Sequence, residues 1–450
     1  MSRTIIHNAT ILTLDEDDKF YYPGTIEMEN DLISKVYSGN PSEEGLKAAS
    51  LVIDGTDKLV MPGLVDLHFH TSAAKGYGDN LPLWEYLDEV WYPSIRALTP
   101  SSAKTAALYS YITALKSGTT CVNDMYRFLD ELADAAAEIG IRAVLSNDVA
   151  LPEHRLDSIE DNVAAFHKHH NRENGRIKIW LGLEWLPLSS REQLAEIGRI
   201  RKELDTGLHI HLCESVTEVQ DSAARYSGKT PIEIAYETGC LGPDVVAAHC
   251  VHLTSNDITL LSSTGTSISY NAGSNAKLGN GVMPLESALS SGINIGLGID
   301  ACECHNSTDM FETMKLSTLM QRGHHRNHTL CPAPQTLRMA TINGSRALGF
   351  DTGSLRAFKK ADVICLDLTK DMMFTPLLRN PLRARKEMLE SHLVFGCNGT
   401  AVQHVFVDGK HVVNNFSVVA VDEDQVRRDM DRVFEELVAL MDRYRVRRKK

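Results

Sequence analysis

Between about residues 60 and 350, short apolar runs rich in β-branched residues alternate with longer segments of helical periodicity. That rhythm predicts repeated β/α units built around a parallel sheet. The runs at 64–70, 119–125, 143–148, 177–183, 208–214, 246–249, 267–271 and 293–300 read as strands. Segments at 101–116, 128–138, 191–204, 231–238, 256–262 and 284–290 read as helices between them. Eight such units predict an α/β fold of the (β/α)8 barrel type, rather than an open doubly wound sheet.

The two ends of the chain follow a different rhythm. Short alternating stretches such as "IIHNATILTL", "LVIDG", "ADVICLDL" and "AVQHVFVDGKHVVNN" are broken by Asp-Gly, Ser-Gly and Asn-Asn turn signals, which predicts β-strands and tight turns. Chain termini often lie close together. Residues 1–58 and 352–450 are therefore expected to form one small composite β-sandwich domain, closed by a last helix near 423–443, with the barrel over 59–351. The sequence contains no internal repeat, low-complexity stretch or GxxxxGK[ST] phosphate loop.

Composition narrows the function. A chain of 450 residues, 43% hydrophobic and 23% charged, can bury a large core and leaves room for a second, smaller domain. The formal net charge of -13 argues against a nucleic-acid partner, which needs a basic surface. The basic run "RYRVRRKK" at 443–450 reads as a solvated tail, and "HKHH" at 167–170 and "RGHHRNH" at 322–328 as solvated surface. The start, "MSRTIIHNATILTLDEDDKF", lacks the apolar core of a secretory signal, and no window is long and apolar enough to span a bilayer. Nine cysteines without framework spacing fit reduced thiols. The expectation is a cytoplasmic protein with neither a membrane nor a nucleic-acid partner.

Candidate chemistry collects at the ends of the expected strands. In "VMPGLVDLHFH", His68 and His70 are two residues apart on a strand and share a face, with Phe69 on the other. In a barrel, the C-terminal strand ends carry the reacting groups. "GLHIHLCES" adds His209 and His211 in alternation, with Glu214 three positions beyond His211. "VVAAHC" ends on His249, and "INIGLGID" ends on Asp300 after glycines that permit close backbone approach. Imidazoles and a carboxylate can hold a metal ion, and a second carboxylate can carry protons for a metal-activated water. Each residue alone has an ordinary structural reading; five potential ligands at the strand ends of one barrel predict a catalytic metal site.

Together with "SNAKLGNGVMPL" and "GSLRAFKKADVICLDL", these motifs resemble the amidohydrolase superfamily along nearly the whole chain. The nearest branch is similar to the cytosine deaminase, S-adenosylhomocysteine deaminase and triazine hydrolase group. The resemblance implies a single Zn2+ or Fe2+ held by His68, His70, His211 and Asp300, with Glu214 as proton shuttle and His249 beside the attacking water. Asp300 would also accept a proton. Two-metal branches need a bridging carboxylate or carbamylated lysine at the end of the fourth strand; Lys178 stands near its beginning, which favours one metal. The implied reaction is hydrolytic deamination of an aminated N-heterocycle, whether free base, pterin, triazine or nucleoside-like. Displacement of chloride or an alkylamine from a triazine is the alternative, and a catalytically silent scaffold a more distant one.

The substrate side is less constrained. "LPLWEYLDEVWYPSIRALTP" offers Trp84, Tyr86, Trp91 and Tyr92, which can stack on a planar ring or serve helix and dimer packing. Nucleoside deaminases of this group carry a glutamate where this chain has Ile95, and a histidine where it has Glu184. Both departures count against a ribosyl substrate and favour hydrogen bonds that Glu184 accepts from ring amino groups. Asn275 and Cys304 complete the candidate substrate contacts, and Cys302, Cys304 and His305 have the spacing of a metal loop but lack a fourth ligand. Exposed aromatics predict a homodimer or a larger homo-oligomer.

Overall fold

The computed structural model describes residues 2–74, 76–370 and 386–448, with side chains as far as Arg443. The barrel is built from β6 (Leu64–His70), β7 (Thr119–Met125), β8 (Arg142–Ser146), β9 (Ile177–Ile179), β10 (Leu181–Trp185), β11 (Leu208–Leu212), β12 (Val245–His249), β13 (Ser267–Tyr270), β14 (Ile295–Leu297) and β15 (Asp300–Ala301). All of their pairings are parallel, in the orders β15-β6-β7-β8-β9 and β10-β11-β12-β13-β14.

Two one-strand interruptions separate those sheets. One is Trp180, between β9 and β10, whose N–H still donates to Leu145 O at 2.9 Å; the other is Gly298–Ile299, where the Gly298 N–H donates to Tyr270 O at 3.2 Å. The ten segments are therefore eight staves, in the positions expected from the sequence. Continuous apolar runs make this possible, since strands of a parallel barrel are covered on both faces: every residue of β6, β7, β8 and β12 is buried. The intervening helices follow the apolar periodicity, as in Arg191–Leu204, which buries Leu194, Ile197 and Gly198 and starts with Ser190 capping the Gln193 N–H.

Strands from both chain ends meet in a single hydrogen-bonded sheet of nine. It contains β1 (Arg3–Leu12), β2 (Phe20–Glu29), β3 (Leu32–Ser38), β4 (Leu51–Asp54), β5 (Lys58–Pro62), β16 (Val363–Asp367), β17 (Val402–Val407), β18 (Lys410–Asn414) and β19 (Ser417–Val418). β5 pairs antiparallel with β16 and leads through Gly63 directly into β6, so the sheet is hitched to the first stave. Its apolar centre includes Ile6, Ile26, Val60, Val363 and Phe406. A buried ion cluster ties it to the barrel: Arg142 on β8 is 2% exposed and donates bidentately to Asp362 at 2.7 and 2.8 Å, with Asp408 as a further partner.

Among the surface expectations, the histidine cluster at 167–170 changes. The basic run as far as Arg448 lies in the helix Glu423–Arg448; residues 449–450, and the side chains beyond Arg443, lie outside the described residues. His169 of "HKHH" is buried rather than solvated, its Nε2 2.6 Å from Asp130, and His170 Nδ1 is bonded to Ile179 O. These histidines lie where the helix Ile159–His169 turns back to the barrel, so its last turn is covered. Residues 323–329 are exposed, as expected. No helix among the described residues is long and apolar enough to cross a membrane.

Candidate active site

At the C-terminal mouth of the barrel the strand ends converge. β15 pairs with β6 so that Asp300 stands opposite Phe69 and Ala301 opposite His70, and β11 pairs with β12 so that Leu212 faces His249. His68, His70 and His211 are all buried and form one cluster of potential ligand atoms; His68, His249 and Asp300 form an overlapping one. His70 Nε2 lies 3.2 Å from His211 Nε2, and Asp300 Oδ1 lies 3.4 Å from both His68 Nε2 and His70 Nε2. Ligand atoms held tetrahedrally at 2.0–2.1 Å from one ion sit roughly 3.3–3.4 Å apart, so these spacings fit a single zinc-sized ion.

The chemistry of the donors agrees. His68 Nε2 is buried with no hydrogen-bond partner among the described residues, a cost that an ion would remove. Burial, reinforced by neighbouring imidazoles, pushes His68 and His211 well below the ordinary histidine range, which keeps their lone pairs available. His70 Nδ1 donates to Met125 O at 2.6 Å and His211 Nδ1 to Glu184 O, so both present Nε2 to the centre. Burial pushes the Asp300 carboxyl up, but the surrounding His249, His70 and His211 outweigh it and hold it below the usual range.

Close approach at the site depends on the backbone. A Cβ on Gly298 would lie 2.5 Å from Asn271 Oδ1 and Ser269 Oγ and 2.8 Å from His68 Cβ, so only glycine fits there. His249 and Asp300 themselves adopt left-handed φ angles of 71° and 70°. Strain of this kind in non-glycine residues gathers where side chains must be aimed.

Glu214 and His249 stand beside the cluster. Burial raises Glu214 well above the usual carboxylate range, Asp300 adds to the rise, and the hydrogen bond from Asn280 opposes it. Its Oε1 accepts from Asn280 Nδ2 at 2.9 Å and lies 3.8 Å from His249 Nδ1. His249 Nδ1 donates to Asn275 Oδ1 at 2.9 Å, while its Nε2 points to Asp300 Oδ2 at 4.0 Å. Asn280 had no signal in the sequence, because its contact with Glu214 spans 66 residues.

The pocket over this centre is lined by Tyr86, Trp91, Glu184, Trp185, Leu278 and Cys304, among others, and encloses about 40 Å³. Its roof is Leu83–Tyr86, a π-helical turn Leu87–Trp91 and Tyr92–Arg96; wide turns of that type recur at functional sites. The Trp91 ring packs edge-on against His70 at 5.2 Å. Two of the expected substrate contacts are elsewhere. Asn275 is buried with its carbonyl accepting from His249 Nδ1, and the Trp84 ring packs at a tilt of 38° against Trp185, centroids 4.4 Å apart; neither Asn275 nor Trp84 lines the pocket. Trp185, next to Glu184 in the chain, takes a place on the wall that the sequence reading left unassigned. Glu184 is on the wall and accepts from Tyr92 Oη at 3.0 Å; burial pushes its pKa up to about 8, so it stays mostly neutral at pH 7. Ile95 is buried on the roof helix. Lys178 Nζ donates to Leu348 O and Gly349 O, away from the centre. Cys302, Cys304 and His305 belong to none of the metal-holding groups among the described residues, and all nine cysteines are buried thiols.

The amidohydrolase family model matches residues 59–412. The chain belongs to the amidohydrolase family. It is 36% identical to the 5'-deoxyadenosine deaminase of Methanosarcina mazei over 98% of this chain and 99% of that protein. It is 34% identical to the 5-methylthioadenosine/S-adenosylhomocysteine deaminase of Acetivibrio thermocellus, over 94% and 96% respectively. The fold superposes on the zinc-bound adenosine deaminase of Xanthomonas campestris with a TM-score of 0.88 and 24% identity, covering 97% and 99% of the two chains. This amidohydrolase is a hydrolase of carbon–nitrogen bonds in cyclic amidines, and its reaction is the metal-dependent hydrolytic deamination of an aminated N-heterocycle.

Proposed function

We propose that this amidohydrolase deaminates an adenine nucleoside altered at its 5' carbon, using one zinc or ferrous ion per chain held by His68, His70, His211 and Asp300. The observation that carries the reading is the meeting of those four ligand atoms with the raised carboxyl of Glu214 at one pocket. The nucleoside rests on the two full-length relatives, one named for 5'-deoxyadenosine and the other for 5-methylthioadenosine and S-adenosylhomocysteine. They outweigh the departures at Ile95 and Glu184, which had counted against a ribose.

His68, His70, His211 and Asp300 would hold a divalent ion whose chemistry is to acidify a water toward neutral pH. Asp300, kept ionised, receives a proton from that water. His249, with Nδ1 committed to Asn275, offers Nε2 as the acceptor that orients the water's remaining hydrogen. Glu214, kept protonated by burial, donates to the ring nitrogen beside the carbon under attack. Water adds to that carbon, Asp300 passes its proton to the amino group as the carbon–nitrogen bond breaks, the added hydroxyl returns a proton to Glu214, and ammonia and a ring carbonyl are the products. Trp91 and Tyr86 provide flat apolar walls for a purine, and Glu184, near-neutral and anchored by Tyr92, meets its polar edge. The free volume of about 40 Å³ is far below that of a nucleoside site, so the site must widen for entry.

Glu184 favours a second reading, a free aminated base whose amino groups bond the carboxyl. Ammonia release from 5'-deoxyadenosine, 5'-methylthioadenosine, adenosine, guanine and an aminotriazine separates the two. Turnover of the 5'-altered nucleosides at least tenfold faster, by kcat/KM, supports the first reading. Turnover of free bases alone overturns it.

A further inference from the structure

His209 is fully buried, shares the inward face of β11 with His211, and has no place in the mechanism. Its Nε2 lies 2.7 Å from Nδ1 of His68, and the two rings meet edge to face with centroids 4.9 Å apart. Its other nitrogen, Nδ1, lies 3.5 Å from Ser146 Oγ on β8. The contrast with the neighbouring ligands is what gives this pair meaning. His70 and His211 each direct Nδ1 at a backbone carbonyl, which can only accept, so their protons are fixed on Nδ1 and their lone pairs on Nε2. His68 has an imidazole in that position, and an imidazole nitrogen can either accept or donate. If His209 Nε2 carries the proton, His68 Nδ1 must accept it, and the proton of neutral His68 moves to Nε2, where it blocks the metal site.

We propose that His209 is the positioning residue for the metal: held with its proton on Nδ1, it accepts from His68 Nδ1–H and thereby keeps the His68 Nε2 lone pair aimed at the ion. The inference rests on the ligand set given under Proposed function. Hydrogen bonds behind a ligating histidine fix both the tautomer and the ring orientation, and losing one typically costs 10–100-fold in metal affinity. Four imidazoles, of His70, His209, His211 and His249, surround His68 at centroid distances of 4.7 to 5.1 Å, and among the described residues the hydrogen bond of its Nδ1 is to His209 Nε2. Ser146 is the group that can take the His209 Nδ1–H in turn.

The test is zinc affinity, measured by competition with a chromophoric chelator on the full chain, with the visible spectrum of the cobalt-loaded protein as a second readout. His209→Phe and His209→Leu keep an apolar volume but remove the acceptor; His209→Gln can place its Oε1 close to the position of Nε2. The expected result is a 10–100-fold weaker zinc affinity and an altered cobalt spectrum for the Phe or Leu variant, whichever folds, with Gln within a few-fold of the native protein. Equal affinity in all variants overturns the proposal. So does an equal loss in Phe, Leu and Gln, which assigns His209 to packing alone. Failure of the native protein to bind about one zinc per chain is a different outcome: it overturns the ligand set and with it this inference, and is read before any variant is compared.

Discussion

Asn280 Nδ2 donates to Oε1 of Glu214 at 2.9 Å, from a loop 66 residues further along the chain. That bond occupies one carboxyl oxygen and leaves the other to carry the proton toward the pocket. A glutamine at 214 keeps the bond to Asn280 but has no acidic proton. We expect Glu214→Gln to lower kcat by 10²–10⁴-fold while zinc content, measured on the same preparation, stays at the native level. A parallel loss of zinc would show that Glu214 supports the ion and not the proton.

Removing the ion tests the ligand set. Dialysis against a zinc chelator is expected to abolish ammonia release and to lower the melting temperature, since a bound ion stabilises only the folded chain; at a thousand times its dissociation constant that is worth about 4 kcal/mol. Zinc added back should restore both. His70→Ala is expected to prevent the recovery, whereas Lys178→Ala, whose side chain reaches Leu348 and Gly349 instead of the centre, should recover fully.

Glu184 is the test of the pocket wall. Because burial raises its pKa to about 8, glutamine closely matches its neutral form at pH 7. Glu184→Gln should therefore leave KM within a few-fold, while Glu184→Ala, which also strands the Tyr92 hydroxyl, should raise KM about 3–10-fold, the worth of one neutral hydrogen bond. Initial-rate kinetics on the best substrate decide it; an unchanged KM in the Ala variant removes Glu184 from the substrate contacts.

Arg142 and Asp362 bond across 220 residues to join barrel and sheet, and both are buried. Asp362→Ala leaves the guanidinium with a single carboxylate, Asp408, and is expected to cost about 3–5 kcal/mol of stability in urea unfolding. KM should not change, because the pair lies at the opposite end of the barrel from the ligands.

Acid sensitivity has a source outside the active site. His404 on β17 is held at about 4, chiefly by burial and by His411, whose Nε2 is 3.1 Å from its Nδ1. An unfolded histidine titrates near 6.5. Between those values the unfolded chain binds the proton and the folded chain does not, so this site's contribution is full above pH 6.5, declines as pH falls, and levels off below 4. His404→Leu should flatten that part of a melting-temperature profile recorded from pH 7 to 4.

Much of this was legible in the order of residues. The β/α rhythm and the pairs His68/His70 and His209/His211 follow from local periodicity, because a strand alternates its faces every residue whatever surrounds it. Strand-end position singled out Glu214, His249 and Asp300, and the motif resemblance gave them roles. What only the tertiary structure decided concerns partners distant in sequence: Asn280 on Glu214, Asn275 on His249, Trp84 against Trp185, His209 against His68 over 141 residues. Periodicity says which way a side chain faces along its own element. Which group it meets there depends on stave register, on loop paths and on the close approach that Gly298 allows, and these exist only once the barrel has closed.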